Sequence, residues 1–322
     1  MTWQATIEQF ELAQTFAISR GAKHKIEVVV AQITRDGLVG RGEAVPYPRF
    51  GHAPEPVAVE IEALDPQISR EGLQQTLPAG PARNAADCAL WDLEVKEAAK
   101  RAEARGQEEA LAHRVATAFT LSLDTPSAMA EAAQRAGQYG LLKLKLGGLE
   151  DLERLRAVRA ARPDATLVLD ANEGWDAASY LELLPELQAL EIALIEQPFP
   201  ADHDDALRDV PRPIPICADE SFHDTASLAP LLGKYDAINI KLDKTGGLTE
   251  AMRALRAAKD AQLLTMLGCM VCTSLSIAPA LRLAREVDFV DLDGALWLKK
   301  DRRHGLSIKD GYLAAATPAL WG

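Results

Sequence analysis

The chain has 322 residues, of which 48% are hydrophobic and 25% charged, and its formal net charge is −12. This composition excludes a disordered or collagen-like protein, and the apolar runs are far shorter than the ~20 residues of a membrane-spanning helix. The acidic charge balance also makes nucleic acid and anionic membrane surfaces poor partners.

The N-terminal residues and the cysteines both favour a cytoplasmic protein. Residues 1–4 lack the basic and apolar stretches of a signal peptide. The chain has four cysteines, Cys88, Cys217, Cys269 and Cys272, which are too few and too scattered for a disulfide framework. Cys269 and Cys272 form a CxxC without the second pair that a zinc site needs. The expected partner is a small molecule, with self-association into a homo-oligomer left open.

Residues 1–112 have the pattern of a small α+β domain. Lys25 to Thr34 is rich in Val and Ile and predicts a strand, and Asp36-Gly37 predicts a hairpin turn before a second strand at Leu38 to Ala44. Apolar residues then recur at helical spacing at Ala86, Ala89, Leu90 and Leu93. Strands followed by a helix are typical of an α+β unit, here expected to cap the rest of the chain.

Residues 113–304 alternate short β-type runs with helical stretches rich in Ala, Leu and Arg. The predicted strands are Ala116–Leu123, Leu141–Leu146, Ala165–Asp170, Ile192–Glu196, Ile214–Asp219, Ala237–Leu242, Leu263–Leu267 and Phe289–Leu292. Eight such units predict a modified (β/α) barrel of the TIM type. A doubly wound sheet is the competing fold, but Gly147-Gly148 alone is a weak phosphate-binding turn. The tail, residues 305–322, is expected to return to the first domain.

Three carboxylates end three consecutive predicted strands: Asp170, Glu196 and Asp219. In a barrel, strand ends meet at the active-site face, so these side chains are expected to converge. Converging carboxylates repel one another unless a cation lies among them, and an all-oxygen set favours Mg²⁺. The alternative is that each acid caps the helix that follows its strand.

Lysines flank these carboxylates on both sides. Lys143 and Lys145 share a face of the second strand, and Lys241 ends the sixth strand, across the barrel. Lys145 and Lys241, opposed across a metal ion, suit removal of a proton beside a carboxylate and its return on the opposite face. Simple salt bridges to the acids are the alternative. Asp243 and Lys244 lie beyond the strand and are expected in a loop.

These motifs resemble the enolase superfamily in its muconate-lactonizing branch, in which a Lys or His base works with Mg²⁺. The resemblance covers nearly the whole chain, and within that branch it is to the L-Ala-D/L-Glu epimerases. The segments that carry it are Arg20-Gly21, Pro46-Tyr47-Pro48-Arg49, Asn239 through Gly247, Gly268-Cys269-Met270 and Asp291-Leu-Asp293-Gly294.

The resemblance implies a role for each of these site residues. Asp170, Glu196 and Asp219 would ligate Mg²⁺, and Lys145 and Lys241 would be the acid/base pair that epimerises a dipeptide through an enediolate. The residues implied in substrate binding are Lys143 on the carboxylate, Asp291 and Asp293 on the α-ammonium, Thr120 and Cys269 in the pocket wall, and Arg20 on the side-chain carboxylate of Glu. Family members of this type act on murein peptides.

Other activities stay open from the sequence. The same scaffold serves lyases and cycloisomerases, such as muconate cycloisomerase and o-succinylbenzoate synthase, and also N-acyl amino acid racemases. A Schiff-base aldolase would use one lysine but leaves the three carboxylates unexplained. A metal-dependent dipeptide-binding protein without turnover would have no use for two opposed lysines.

Overall fold

The computed structural model describes residues 2–18, 21–103, 114–148 and 151–322. Arg20 and the domain boundary expected near residue 112 lie outside these ranges, so both stay predictions. The N-terminal part is an antiparallel sheet of β1 (Trp3–Ile18), β2 (Gly21–Arg35) and β3 (Leu38–Ala44), in that order. The expected hairpin at Asp36-Gly37 is confirmed, and both turn residues have positive φ.

Three helices cover this sheet: α1 (Pro54–Glu62), α2 (Arg70–Thr76) and α3 (Pro81–Glu103). The predicted apolar stripe of α3 packs on β3, where Gly40 and Gly42 allow the two backbones to approach closely. A Cβ on Gly42 would lie 2.2 Å from the carbonyl oxygen of Ala85 on α3. This sheet and its helices form the cap, defined here as residues 2–18 and 21–103.

The remainder forms a barrel of eight parallel strands in sequence order, β5 to β12. Its elements, preceded by the short strand β4 (Val115–Ala116), are β5 (Phe119–Leu121), α4 (Pro126–Arg135), β6 (Leu141–Lys145), α5 (Asp151–Ala161), β7 (Thr166–Asp170), α6 (Ala177–Ala189), β8 (Ile192–Glu196), β9 (Ile216–Ala218), β10 (Ala237–Lys241), α7 (Leu242–Thr245), α8 (Leu248–Asp260), β11 (Leu264–Gly268), α9 (Ser274–Ala280) and β12 (Phe289–Asp291). The Ala118 N–H donates to the Val290 carbonyl at 2.8 Å and brings the first and last strands together.

Two predicted elements differ from the structure. The predicted strand Ala116–Leu123 is divided, and only β5 joins the barrel; β4 pairs with β14 in the tail instead. Asp243 and Lys244 do not lie in a loop, because they form the single helical turn α7, which ends at Gly246 in the left-handed conformation (φ 74°).

Alternation along the strands separates the core from the site. On β6, Leu142 and Leu144 pack outwards among the helices, so Lys143 and Lys145 point into the barrel. On β7, Val168 belongs to a small cluster of fully buried strand residues, and Asp170 shares its face. The period-two alternation of side chains therefore places charged residues inside the barrel, near the carboxyl ends of its strands.

The tail returns to the cap. The hairpin of β13 (Ile308–Lys309) and β14 (Tyr312–Leu313) pairs with β4, and the chain then runs back to α3. There the Trp321 indole N–H donates to the Cys88 carbonyl at 3.1 Å. In the part of the chain described, no helix combines the length and apolar character needed to cross a bilayer.

Candidate active site

A cavity of about 80 Å³ lies where the barrel strands end, beneath the cap. The cap contributes Phe16, Lys23, Val45 and Tyr47 to its wall. The barrel contributes the predicted residues Thr120, Lys143, Lys145, Asp219, Lys241, Cys269, Asp291 and Asp293. Two further predicted residues, Asp170 on β7 and Glu196 on β8, contact Lys143 of this wall. The predicted residues therefore come from all eight barrel strands or the loops that directly follow them.

Strand register sets this convergence. Lys145, Asp170 and Glu196 pair side by side on β6, β7 and β8, and Asp219 follows β9. Apolar strand residues precede each acid, so the carboxylates are drawn into the barrel with almost no exposure: 0% for Asp170 and Glu196 and 5% for Asp219. Such buried carboxylates require compensating positive charge.

Lysines provide that compensation on the β6 side. The Lys143 Nζ lies 2.6 Å from Glu196 Oε2, 3.1 Å from Asp170 Oδ2 and 2.8 Å from Asp291 Oδ2. Lys145 Nζ lies 2.5 Å from Asp170 Oδ2. Burial opposes the charge on Lys143, but the surrounding carboxylates outweigh it and raise its pKa well above the ordinary value.

The β10 side mirrors this arrangement around a different carboxylate. Lys241 Nζ lies 2.6 Å from Asp219 Oδ2, and Lys244 Nζ lies 2.6 Å from Asp219 Oδ1. Burial raises the pKa of the Asp219 carboxyl, but the two ammonium groups outweigh burial and hold it well below the usual range. No pattern in the sequence indicates that Lys244 reaches this carboxylate, because its position beyond β10 predicts a loop.

The three carboxylates fit a hard divalent cation by donor type and by charge. One ammonium, that of Lys143, already contacts Asp170 and Glu196 together, so a positive centre between them is accommodated. Burial and the Asp170 charge raise the pKa of Glu196 to about 7, against the opposing effect of the Lys143 ammonium. As the side chains stand, the described residues contain no three acids, histidines or cysteines grouped as metal ligands. Lysine ammonium groups contact all three carboxylates instead.

A second acidic pair lies across the cavity. Asp291 ends β12, and its Oδ1 is buried without a hydrogen-bond partner among the described residues. Asp293 Oδ2 accepts the Thr120 N–H at 2.6 Å. Burial and the neighbouring Asp291 raise the pKa of Asp293 to about 7. An unsatisfied, buried carboxylate oxygen beside a second acid suits a ligand that carries an ammonium group.

The remaining residues predicted to bind substrate are Cys269 and Arg20. Cys269 lies directly after β11 on the cavity wall, with its Sγ 3.6 Å from the Asp291 carbonyl oxygen. Arg20 lies outside the described residues. In the part of the cap that the structure describes, Lys23 is the cation that lines the cavity, and it was not identified from the sequence. Its Nζ is 4.3 Å from the centre of the Tyr47 ring.

Buried polar contacts behind the cavity were also missed. The Gln197 side chain accepts the backbone N–H groups of Asp219 and Ser221 at 2.9 and 3.1 Å, and so fixes the loop that carries Asp219. Asn239 Nδ2 donates to Glu196 Oε1 at 2.7 Å. Gln197 follows Glu196 and Asn239 lies two residues before Lys241 in the sequence, but this local pattern does not reveal which groups the two amides contact.

A larger cavity of about 470 Å³ lies beside the first, between the cap segment at Arg49 and the barrel loops around Lys234. Its cations are already paired: Arg49 with Glu173 at 2.8 Å and Lys234 with Asp204. It holds neither the predicted lysines nor the predicted metal ligands. The predicted lysines therefore line the smaller cavity and not this one.

Comparison with known proteins covers both parts of the chain. Residues 127–319 match the enolase C-terminal domain-like family, and residues 3–101 match the N-terminal domain of mandelate racemase and muconate lactonizing enzyme. The chain is 44% identical to the L-Ala-D/L-Glu epimerase of Escherichia coli K12 over 95% of this chain and 97% of that one. It is 41% identical to an N-acetyl-D-glutamate racemase of a Pseudoalteromonas species, over 92% and 95% of the two chains.

Two solved structures give the same picture. An enolase family member from Agrobacterium tumefaciens, homologous to dipeptide epimerases and solved with sodium and L-Ala-L-Glu, is 46% identical with a TM-score of 0.94, covering 100% of this chain and 99% of that one. A dipeptide epimerase from Enterococcus faecalis, complexed with Mg and L-Leu-L-Tyr, is 27% identical with a TM-score of 0.88 over 100% and 99% of the chains.

Proposed function

This chain belongs to the mandelate racemase and muconate lactonizing enzyme family of the enolase superfamily, and on that premise we propose that it is a Mg²⁺-dependent dipeptide epimerase. Its substrate is L-Ala-L-Glu, which it interconverts with L-Ala-D-Glu by inversion at the α-carbon of the C-terminal residue. The similarity to an epimerase of that specificity supports the choice of dipeptide. We also propose a cytoplasmic role in murein peptide metabolism.

The observation that carries this proposal is the opposition of two lysines around one small cavity. Lys145 ends β6 and Lys241 ends β10, four strands apart in a barrel of eight, so they approach the cavity from opposite sides. Inversion at carbon needs one group to take a proton from one face and another to deliver a proton to the opposite face. Binding alone would not require this pair.

In the proposed reaction, the lysine on one side, in its neutral form, takes the α-proton of the C-terminal residue. That form would be favoured over the ion-paired ammonium once the Asp170 and Asp219 carboxylates bind Mg²⁺. The lysine on the other side, as an ammonium, donates a proton to the opposite face of the same carbon, and the reverse reaction exchanges their roles. Lys143 holds the substrate carboxylate. Mg²⁺ held by Asp170, Glu196 and Asp219 would offset the negative charge that develops on this carboxylate as the C–H bond breaks.

The acidic pair favours a dipeptide over its competitors. Asp291 and Asp293 suit the free α-ammonium group of a dipeptide, and Asp291 Oδ1 has a place for that donor. An N-acyl amino acid lacks the ammonium, and so do the dianionic substrates of the lyases, so the pair would face a neutral group or an anion there. The similarity to an N-acetyl-D-glutamate racemase makes N-acetylglutamate the competitor to test.

Proton NMR in D₂O tests the proposal. With the protein and Mg²⁺, L-Ala-L-Glu should lose its Glu α-proton signal while the signals of L-Ala-D-Glu appear. EDTA and the variant Lys241→Ala should each abolish the new signals. Persistence of the α-proton in the dipeptide, with exchange in N-acetyl-L-glutamate, would instead identify an N-acyl amino acid racemase. Inertness of both substrates would favour a lyase.

A further inference from the structure

Lys244 is a buried lysine for which the proposed reaction has no use. It lies on α7, its side chain is 1% exposed, and its Nζ contacts both the Oδ1 and the backbone carbonyl oxygen of Asp219. The Phe222 ring lies 5.8 Å from the same ammonium. A cation is rarely buried beside an aromatic ring unless it is paired, and here its partner is one carboxylate of the proposed metal site.

The single turn of α7 explains how two lysines reach the same carboxylate. Lys241 ends β10 with an extended backbone, and α7 begins at the next residue, so the turn brings Lys244 back towards the carboxylate that Lys241 contacts. Their Nζ atoms accordingly contact the two oxygens of Asp219, one each, at 2.6 Å. Asp243 points the other way, and its Oδ1 accepts the Val45 N–H at 2.9 Å in the cap.

The two oxygens of Asp219 are therefore not equivalent. Oδ2 faces Lys241, which lines the cavity, whereas Oδ1 is held by Lys244, which does not line it. In the other two carboxylates, too, one oxygen accepts a hydrogen bond from a neighbouring residue, although Asn172 itself lines the cavity. Asp170 Oδ1 accepts the Asn172 N–H at 3.1 Å, and Glu196 Oε1 accepts from Asn239 Nδ2 at 2.7 Å. Their second oxygens face Lys143.

We propose that Lys244 is a positioning residue that leaves Asp219 a single oxygen for the metal ion, and that it thereby favours Mg²⁺ over Ca²⁺. Mg²⁺ requires compact octahedral coordination, whereas Ca²⁺ accepts more oxygens and readily takes both oxygens of one carboxylate. Because the Lys244 ammonium occupies Asp219 Oδ1, a metal ion could not bind both oxygens of this carboxylate. The inference rests on the proposed function, because it requires Asp219 to be a metal ligand.

Calorimetric titration of the full chain with MgCl₂ and with CaCl₂ tests this without reference to activity. In Lys244→Met, the ratio of the Mg²⁺ Kd to the Ca²⁺ Kd should rise at least tenfold. Loss of a nearby positive charge strengthens the binding of both divalent ions, so the ratio largely removes that effect. Lys244→Arg keeps the cation and its donors and should keep the wild-type ratio.

Lys234→Met is the matched control, since it removes another buried ammonium, one paired with Asp204 outside the smaller cavity. It should lower stability without changing the ratio. A Lys244→Met ratio within threefold of wild type, or an equal shift in Lys234→Met, would overturn the role of Lys244. If Lys244→Met does not fold, Lys244→Leu, which also lacks a donor for Asp219 Oδ1, takes its place under the same criteria. A wild-type chain that binds neither ion would overturn the metal site itself.

Discussion

Lys145 and Lys241 are each held by a carboxylate on the neighbouring strand, and the two pairs mirror each other. Lys145 on β6 contacts Asp170 on β7, and Lys241 on β10 contacts Asp219 after β9, with Glu196 on β8 between them. Each lysine is thus fixed on its own side of the cavity by one short ion pair. A side chain held in this way reaches only one face of a substrate carbon, so the two lysines should divide the reaction by stereochemistry.

Single substitutions of these lysines should therefore separate proton exchange from epimerisation. Lys145→Ala and Lys241→Ala should each lose epimerisation by roughly 10²–10⁴-fold, the usual contribution of a general acid or base. Each should still exchange the α-proton of one epimer, and the two variants should retain opposite epimers. Proton NMR of L-Ala-L-Glu and L-Ala-D-Glu in D₂O measures this. Lys234→Met should exchange both, and a lysine variant that does likewise would refute the division.

The barrel could be predicted from the sequence because period-two alternation and strand ends are local features. The predicted strands that carry Lys143, Lys145 and Asp170 are confirmed for that reason. β1 was missed because it is an edge strand with many exposed positions, so its 16 residues lack a clear apolar stripe. The one-turn helix α7 has no periodicity at all, which is why the contact of Lys244 was missed.

Contacts between distant elements were likewise beyond local reasoning. The carboxylate of Asp243 is joined to the Val45 N–H, 198 residues away, and Thr273 is joined to Glu43 across 230 residues. No propensity or spacing encodes such pairs, since they depend on the final packing of cap against barrel. Close packing within the cap also depends on contacts between distant residues. Gly40 and Gly42 of β3 leave room for the backbone of α3, and no local pattern in the sequence indicates that role.

The Gly42→Ala substitution tests that packing. Its Cβ would lie 2.2 Å from the Ala85 carbonyl oxygen, a backbone atom that cannot move without shifting α3. We expect a loss of about 3 kcal/mol in unfolding free energy, the upper part of the range for overpacking. Urea unfolding measures it. Gly140→Ala is the control, because a Cβ there meets nothing within 4 Å. Equal stability of the two variants would contradict close β3–α3 packing.

Two neighbouring groups of buried polar contacts fasten the cap to the barrel. In the first, Glu43 of the cap accepts the Thr273 N–H at 2.9 Å and pairs with Arg302 at 2.7 Å. In the second, Asp243 Oδ1 accepts from the Val45 N–H and the Asn84 amide at 2.9 and 2.8 Å. Val45 lines the cavity, so these contacts also set the position of its roof.

This fastening should make stability depend on pH through Asp243. Burial, opposed by the hydrogen bonds from Val45 and Asn84 and by Lys241 and reinforced by Glu43, raises the pKa of Asp243 from 3.8 to about 7. The folded chain then binds this proton more tightly than the unfolded chain, so stability falls as pH rises from about 4 to about 7, by roughly 4 kcal/mol.

Asp243→Asn keeps an oxygen for Val45 and Asn84 but removes the titration. Urea unfolding without metal at pH 5 and pH 8 should show a flatter dependence in this variant than in wild type, whereas exposed Asp209→Asn should match wild type. Parallel profiles for all three would mean that Asp243 is ionised in the folded chain at little cost.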